Sequence, residues 1–188
     1  MKLHAIIGLP AALICSALAC AEEPDLGPEA AFYKGLQKLE QQYIKTMREK
    51  ALKAASVEIH CISDTSTDRD PLSVDVDGEF FTLEDNGYPQ HYRISKSGKT
   101  AKKPAEIRAW VDAILPAEEQ PFAMCIPDYG FAVSFIDKDG HEIYSTRICL
   151  KCSSTDVSYP RYNSRLGFDP KVVSQLIKNS GLSVPELK

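Results

Sequence analysis

The stretch "FAVSFIDKDGHEIYSTRICLKC", residues 131–152, decides the fold. Apolar residues alternate on both sides of Asp137-Lys138-Asp139-Gly140, which predicts a β-hairpin with strands over 131–136 and 141–150. With the turn centred on Lys138-Asp139, Ile136 faces His141, Val133 faces Tyr144 and Phe131 faces Thr146. Phe131, Val133 and Phe135 then share one face with Tyr144, Ile148 and Leu150, and that face needs other elements to cover it.

Those elements lie on both sides. "SVEIHCIS" (56–63) alternates as a strand with Val57, Ile59 and Cys61 inward, and "GYPQHYRIS" (87–95) reads as another strand after Asn86-Gly87. In "LSVDVDGEFFTLE" (72–84), Ser73, Asp75, Asp77, Gly78 and Glu84 match the ligand spacing of a calcium loop. Pro71 precludes the entering helix that such a loop needs. Strands 72–76 and 79–83 around an Asp77-Gly78 turn are the expected structure instead. Three helices are expected. One runs from Glu29 to about Ala55 with Phe32, Leu36, Leu39, Tyr43, Met47 and Ala51 on its apolar stripe. A second opens at Pro104, presents Ile107, Trp110, Val111 and Ile114, and ends before Pro116. The last has Asp169 as N-cap and Pro170 as its first residue, and stops at Asn179-Ser180-Gly181. The order of these elements predicts an α+β domain: a mainly antiparallel sheet with a long N-terminal, a middle and a C-terminal helix packed on it.

The N-terminus has a different character. Lys2 is followed by an apolar run from Ala5 to about Ala19, the pattern of a secretory signal and too short to span a bilayer. Residues 1–19 are therefore read as a signal peptide, 20–28 as a linker and 29–188 as one α+β domain. Removing 1–19 from the 188 residues leaves 169, with 21 basic and 26 acidic side chains and a net charge of −5. No basic face is visible, which argues against nucleic acid as a partner. Export to the periplasm or cell envelope is the expectation. Cleavage before Cys20 or before Glu22 both satisfy the small-x-small rule. "SALAC" (16–20) also resembles a lipoprotein signal, which makes Cys20 a lipidation candidate and its lipid the one expected link to a membrane.

Four further cysteines remain: Cys61, Cys125, Cys149 and Cys152. In an exported chain they point first to disulfides. If the strand stays extended through Leu150, Cys149 and Cys152 face opposite ways and cannot bond each other. Extending the hairpin places Cys125 opposite Cys152. Pro127 can introduce a bulge, and Cys149 would then be the partner. Cys61 is left for the remaining cysteine or as a buried thiol. The alternative is a zinc site made by Cys61, Cys125, Cys149 and Cys152, with His60 as a substitute for Cys61; it requires the chain to fold back after Cys149. A redox pair at Cys149-Leu150-Lys151-Cys152 lacks the helix N-terminus that activates such motifs.

"CIPDYGFAVSF" followed by "RICLKC" resembles a group of exported bacterial proteins of unknown function. They share a cysteine shortly before a Pro and a Gly, then a strand, a hairpin and Ile-Cys-Phe/Leu-x-Cys. The resemblance covers about residues 87–155 and includes Gly87-Tyr88 and the helix at 104–115. Many of those sequences carry a basic residue and a His where this chain has Asp128 and Tyr129. The resemblance implies the architecture and a three-cysteine cluster, and it brings no activity.

Catalytic constellations are thin. His60, His91 and His141 are the histidines beyond the signal; Ser134 and Ser145 lie on the less apolar hairpin face; Asp137 and Asp139 are explained by turn chemistry. No catalytic residue is assigned. The expected function is a non-catalytic binding or accessory module of the envelope with structural cysteines and no cofactor, recognising an envelope protein or small ligand. Its candidate surface is the face around Arg147, Cys149 and Ser145 together with the aromatic segment 159–162. The alternative is a thiol-dependent protein using Cys125, Cys149 and Cys152 for metal binding or redox chemistry.

Overall fold

The computed structural model describes residues 27–64, 80–85, 88–118, 120–159 and 162–185. The expected signal, Cys20, the Asp77-Gly78 turn and most of the calcium-like segment lie outside them. The chain divides into two compact units, Met1–Leu36 and Gln37–Lys188. In the first, the rings of Phe32 and Tyr33 meet edge to face, 5.8 Å between centroids.

The element order is α1 (Gly27–Ala51), β1 (Ser56–Asp64), β2 (Phe80–Asp85), β3 (Tyr88–Ser97), α2 (Pro104–Ile114), β4 (Phe131–Ile136), β5 (Glu142–Cys149), β6 (Ser154–Tyr159), β7 (Tyr162–Gly167) and α3 (Pro170–Asn179). Among the described residues, seven strands form one sheet in the order β2-β3-β1-β4-β5-β6-β7, and each of their pairings is antiparallel. This is the α+β architecture expected from the sequence. β3 and β4 flank β1, so the connection through α2 crosses over β1.

Alternation sorts the side chains onto two faces. Val57, Ile59, Val133, Phe135, Tyr144 and Ile148 form the main core with Trp110, Val111 and Ile114 of α2, Val173 and Ile177 of α3, and Ala51 of α1. We call this the helix face. The expected stripe of α1 is used only in part: Tyr43, Met47 and Ala51 pack in or against the core, joined by Ile44, whereas Leu39 is exposed. On the opposite face Ile62, Phe81, Leu83, Tyr92 and Ala132 make a second, smaller cluster. A bulge between Cys61 and Ile62 marks where β1 feeds both.

The β4–β5 register differs from the expectation by two residues. Phe131 pairs with Ile148, Val133 with Thr146, Phe135 with Tyr144 and Ile136 with Glu142. Two single-residue changes produce this. The loop holds three residues, because the Asp137 N–H donates to the His141 carbonyl at 2.8 Å and Gly140 takes φ +84°. A bulge between Phe135 and Ile136 adds the second step. Two steps return every side chain to its expected face.

β6 and β7 are a hairpin where the sequence suggested only a polar stretch. β5 is also shorter than expected: it ends at Cys149 and not at Leu150.

Arg48, in the last turn of α1, joins the helices. Its Nη1 donates to the Leu115 carbonyl at 2.7 Å, and its guanidinium pairs with Asp112. The cation thus satisfies a carbonyl at the C-terminal end of α2, where the helix dipole favours positive charge. Arg48→Ala should lower the free energy of unfolding by about 1–2 kcal/mol. Arg48→Lys should recover part of that, since it keeps the charge but not the forked geometry. Equilibrium denaturation of the two variants checks both.

Candidate functional site

The face away from the helices carries the chemistry. Following the strand pairs, Ser97, His60, Ala132 and Arg147 lie in one row across β3, β1, β4 and β5, and Asp156 and Arg165 pair across β6 and β7. The β5–β6 ladder pairs Ile148 with Thr155 and Cys149 with Ser154, so Asp156 stands in register with Arg147.

Arg147 is buried, and its Nη2 forms an ion pair with the equally buried Asp156. Its Nη1 donates to the Tyr92 hydroxyl, and its guanidinium carbon lies 4.3 Å from the Tyr129 ring centroid and 5.3 Å from that of Tyr92. Ala132, small and buried between these groups, leaves them room. Burial works against the Arg147 charge, but Asp156 and the two phenols outweigh it and raise its pKa. Tyr129 donates to Asp156 Oδ1 at 2.6 Å. Burial first, and then that hydrogen bond, push the Tyr129 phenol well above its ordinary range. Burial does the same to Tyr144, whose hydroxyl donates to the Asp156 carbonyl at 3.3 Å.

Tyr129 belongs to residues 120–130, an irregular strap lying across this face. Gly167 of β7 makes its path possible: a Cβ there would stand 2.0 Å from the Gln120 carbonyl oxygen. The Ala123 N–H donates to the Cys152 carbonyl at 2.9 Å, and Arg165 Nη1 donates to the Cys125 carbonyl at 3.0 Å. A disulfide joins Cys125 to Cys152, with their Cα atoms 5.9 Å apart. Met124 and Ile126, on either side of Cys125, are 92% and 89% exposed.

The hairpin ladder does not make this bond. β4 begins at Phe131, so Cys125 reaches its partner from the strap. Nor do Cys149 and Cys152 look apart. The strand stops at Cys149 and the chain turns through Leu150–Ser153: the Ser153 N–H donates to the Leu150 carbonyl at 3.2 Å, and Ser153 takes φ +54°. The turn aims the Cys152 N–H at Cys149 Sγ, 3.3 Å away, and the strap adds the Asp128 N–H at 3.4 Å. The sulfurs of Cys125, Cys149 and Cys152 consequently lie within 4.8 Å of one another.

Cys61 is outside that cluster. It is a free thiol packed against the main core, so the four-thiolate zinc site is not assembled. His60 does not replace it, since its Nδ1 lies 2.9 Å from Ser97 Oγ. His91 Nδ1 is 3.0 Å from Thr82 Oγ1. Asp137, Asp139 and His141 cluster at the β4–β5 loop, where the N–H groups of His141 and Asp139 hold the Asp137 carboxyl below its usual range. Ser134 and Ser145 both donate to Glu142. The Tyr159 and Tyr162 side chains lie outside the described residues. The Arg147–Asp156 pair could have been suspected from two opposite charges flanking the short "CLKCSST" turn, had that turn been recognised.

Comparison with protein-family models, curated proteins and solved structures found no match.

Removing one partner of a buried pair leaves the other charge uncompensated. Asp156→Asn should therefore cost about 3–5 kcal/mol of stability, and the double replacement Arg147→Met with Asp156→Leu should recover most of that loss. Urea denaturation of the single and double variants checks the difference. The raised phenols predict alkaline sensitivity. A group held neutral in the folded state contributes fully below its unfolded pKa, about 10 for tyrosine, and loses that contribution as pH rises beyond it. Stability should fall above about pH 10, with a shallower slope in Tyr129→Phe. Unfolding free energies measured against pH test the sign.

Proposed function

We propose that this chain is an exported, non-catalytic binding module of the cell envelope whose docking element is the strap 120–130. The observation that carries the reading is the near-complete exposure of Met124 and Ile126 on a backbone clamped from several sides. Large apolar side chains on a preorganised loop lose little further entropy on association, and their burial against a partner releases water from both. The partner that fits is an envelope protein with an apolar cleft. Export is supported by the signal-like residues 1–19 and by cross-linked cysteines, which persist in oxidising compartments. Among the described residues, no helix is long and apolar enough to cross a membrane.

The hydrogen bonding favours this reading over catalysis. Among the described residues, Ser97, His60 and Glu58 come nearest to a nucleophile, base and orienting acid, but Glu58 Oε2 stands 3.9 Å from His60 Nε2. That is longer than a hydrogen bond between the two groups.

A photo-crosslinking amino acid at Met124 of the full chain, expressed in its own cells, tests the docking role. A discrete adduct with one envelope protein is expected. It should be absent with the probe at exposed Lys138 and reduced roughly tenfold or more by Ile126→Asp, given the value of a buried aliphatic side chain. Equal labelling from positions 124 and 138 would overturn the reading.

A further inference from the structure

Cys149 is a free thiol beside a formed disulfide. It and Cys152 are fully buried, whereas Cys125 is partly exposed at the strap. Two N–H groups, of Cys152 and Asp128, point at Cys149 Sγ from 3.3 and 3.4 Å, where they can stabilise charge developing on that sulfur. Three sulfurs within 4.8 Å permit more than one pairing, and thiolate attack interconverts such pairings without any outside oxidant or reductant.

We propose that Cys125, Cys149 and Cys152 form an exchange centre in which Cys149 displaces Cys125 from Cys152. Cys149 gives up its proton and its sulfur attacks Cys152 Sγ. The Cys149–Cys152 bond forms as the Cys125–Cys152 bond breaks, and Cys125 departs with the electron pair and takes a proton. One disulfide and one thiol stand on each side, so the step is redox-neutral. The turn permits the new bond because it already brings the two sulfurs to one side.

The exchange changes the surface. The cross-link moves from a sequence separation of 27 to one that joins the end of β5, at Cys149, to Cys152 in the following turn, and the strap loses its covalent tether. Its hydrogen bonds to Cys152, Arg165 and Asp156 remain. A thiol is delivered between Met124 and Ile126, able to form a mixed disulfide with an external disulfide such as oxidised glutathione. This inference stands on the sulfur geometry alone and holds whether or not the strap docks a protein.

The test uses the full chain purified without reductant and incubated at mildly alkaline pH. The sample is acid-quenched, alkylated in denaturant and mapped by mass spectrometry. Label is expected on Cys149 and, in a smaller and growing fraction, on Cys125, together with a Cys149–Cys152 linked peptide. Cys61→Ser should leave this pattern unchanged, and Cys149→Ser should lower Cys125 labelling roughly tenfold or more. Absence of label from Cys125 in the wild type overturns the proposal, as does a transfer that requires Cys61. Mapping of the wild type and Cys61→Ser decides the matter even if Cys149→Ser fails to fold.

Discussion

Arg147 carries a full charge into the sheet face turned away from the helices, and its surroundings answer to that charge. Desolvating a guanidinium is costly unless its donors are met. Asp156 accepts from it on β6 and the Tyr92 hydroxyl on β3, while the Tyr129 ring of the strap lies against its charge. The β5–β6 ladder pairs only Ile148 with Thr155 and Cys149 with Ser154, so the ion pair fastens the two strands where their backbone pairing stops. A hydrophobic pair of similar volume is often as stable as a buried ion pair. What this one supplies is registry, since a one-residue slip of β6 would remove Asp156 from the only face where Arg147 can meet it.

Much of the sheet was legible because its helix face alternates. Phe131, Val133 and Phe135 against Tyr144 and Ile148 announce a buried ladder, and Pro104 and Asp169-Pro170 mark helix starts that the structure keeps. The β4–β5 register was not legible from the turn residues. Asp137-Lys138-Asp139-Gly140 suits a two-residue turn as well as the three-residue loop it makes, and only the positive φ of Gly140 separates them. The bulge after Phe135 has no residue signature at all. β6 and β7 escaped because their face away from the helices bears Ser154, Asp156 and Arg165, and among their described buried residues only Val157 and Leu166 are aliphatic.

The cysteines show a different limit. Which thiols approach each other depends on where an extended strand stops, and "ICLKCSS" contains no proline or glycine to mark that point. The turn comes at Leu150–Ser153, with Ser153 in a conformation for which glycine is the usual choice. The strap was equally hidden, because its course depends on Gly167, a residue distant in sequence whose role is to have no side chain where Gln120 crosses. Arg147 and Cys149 were part of the expected surface; Asp156, Tyr129 and Tyr92 join them only through tertiary pairing.

The Cys125–Cys152 bond encloses the whole of β4 and β5 within one covalent ring. A force applied to the two ends of the chain passes through the sulfurs and leaves the central hairpin unloaded. Stretching would release a contour shorter by roughly 90 Å than that of the reduced chain, at about 3.4 Å for each enclosed residue. A proteolytic nick inside the ring would free no fragment. The covalent ring thereby shields the middle of the sheet from tension applied at the chain ends.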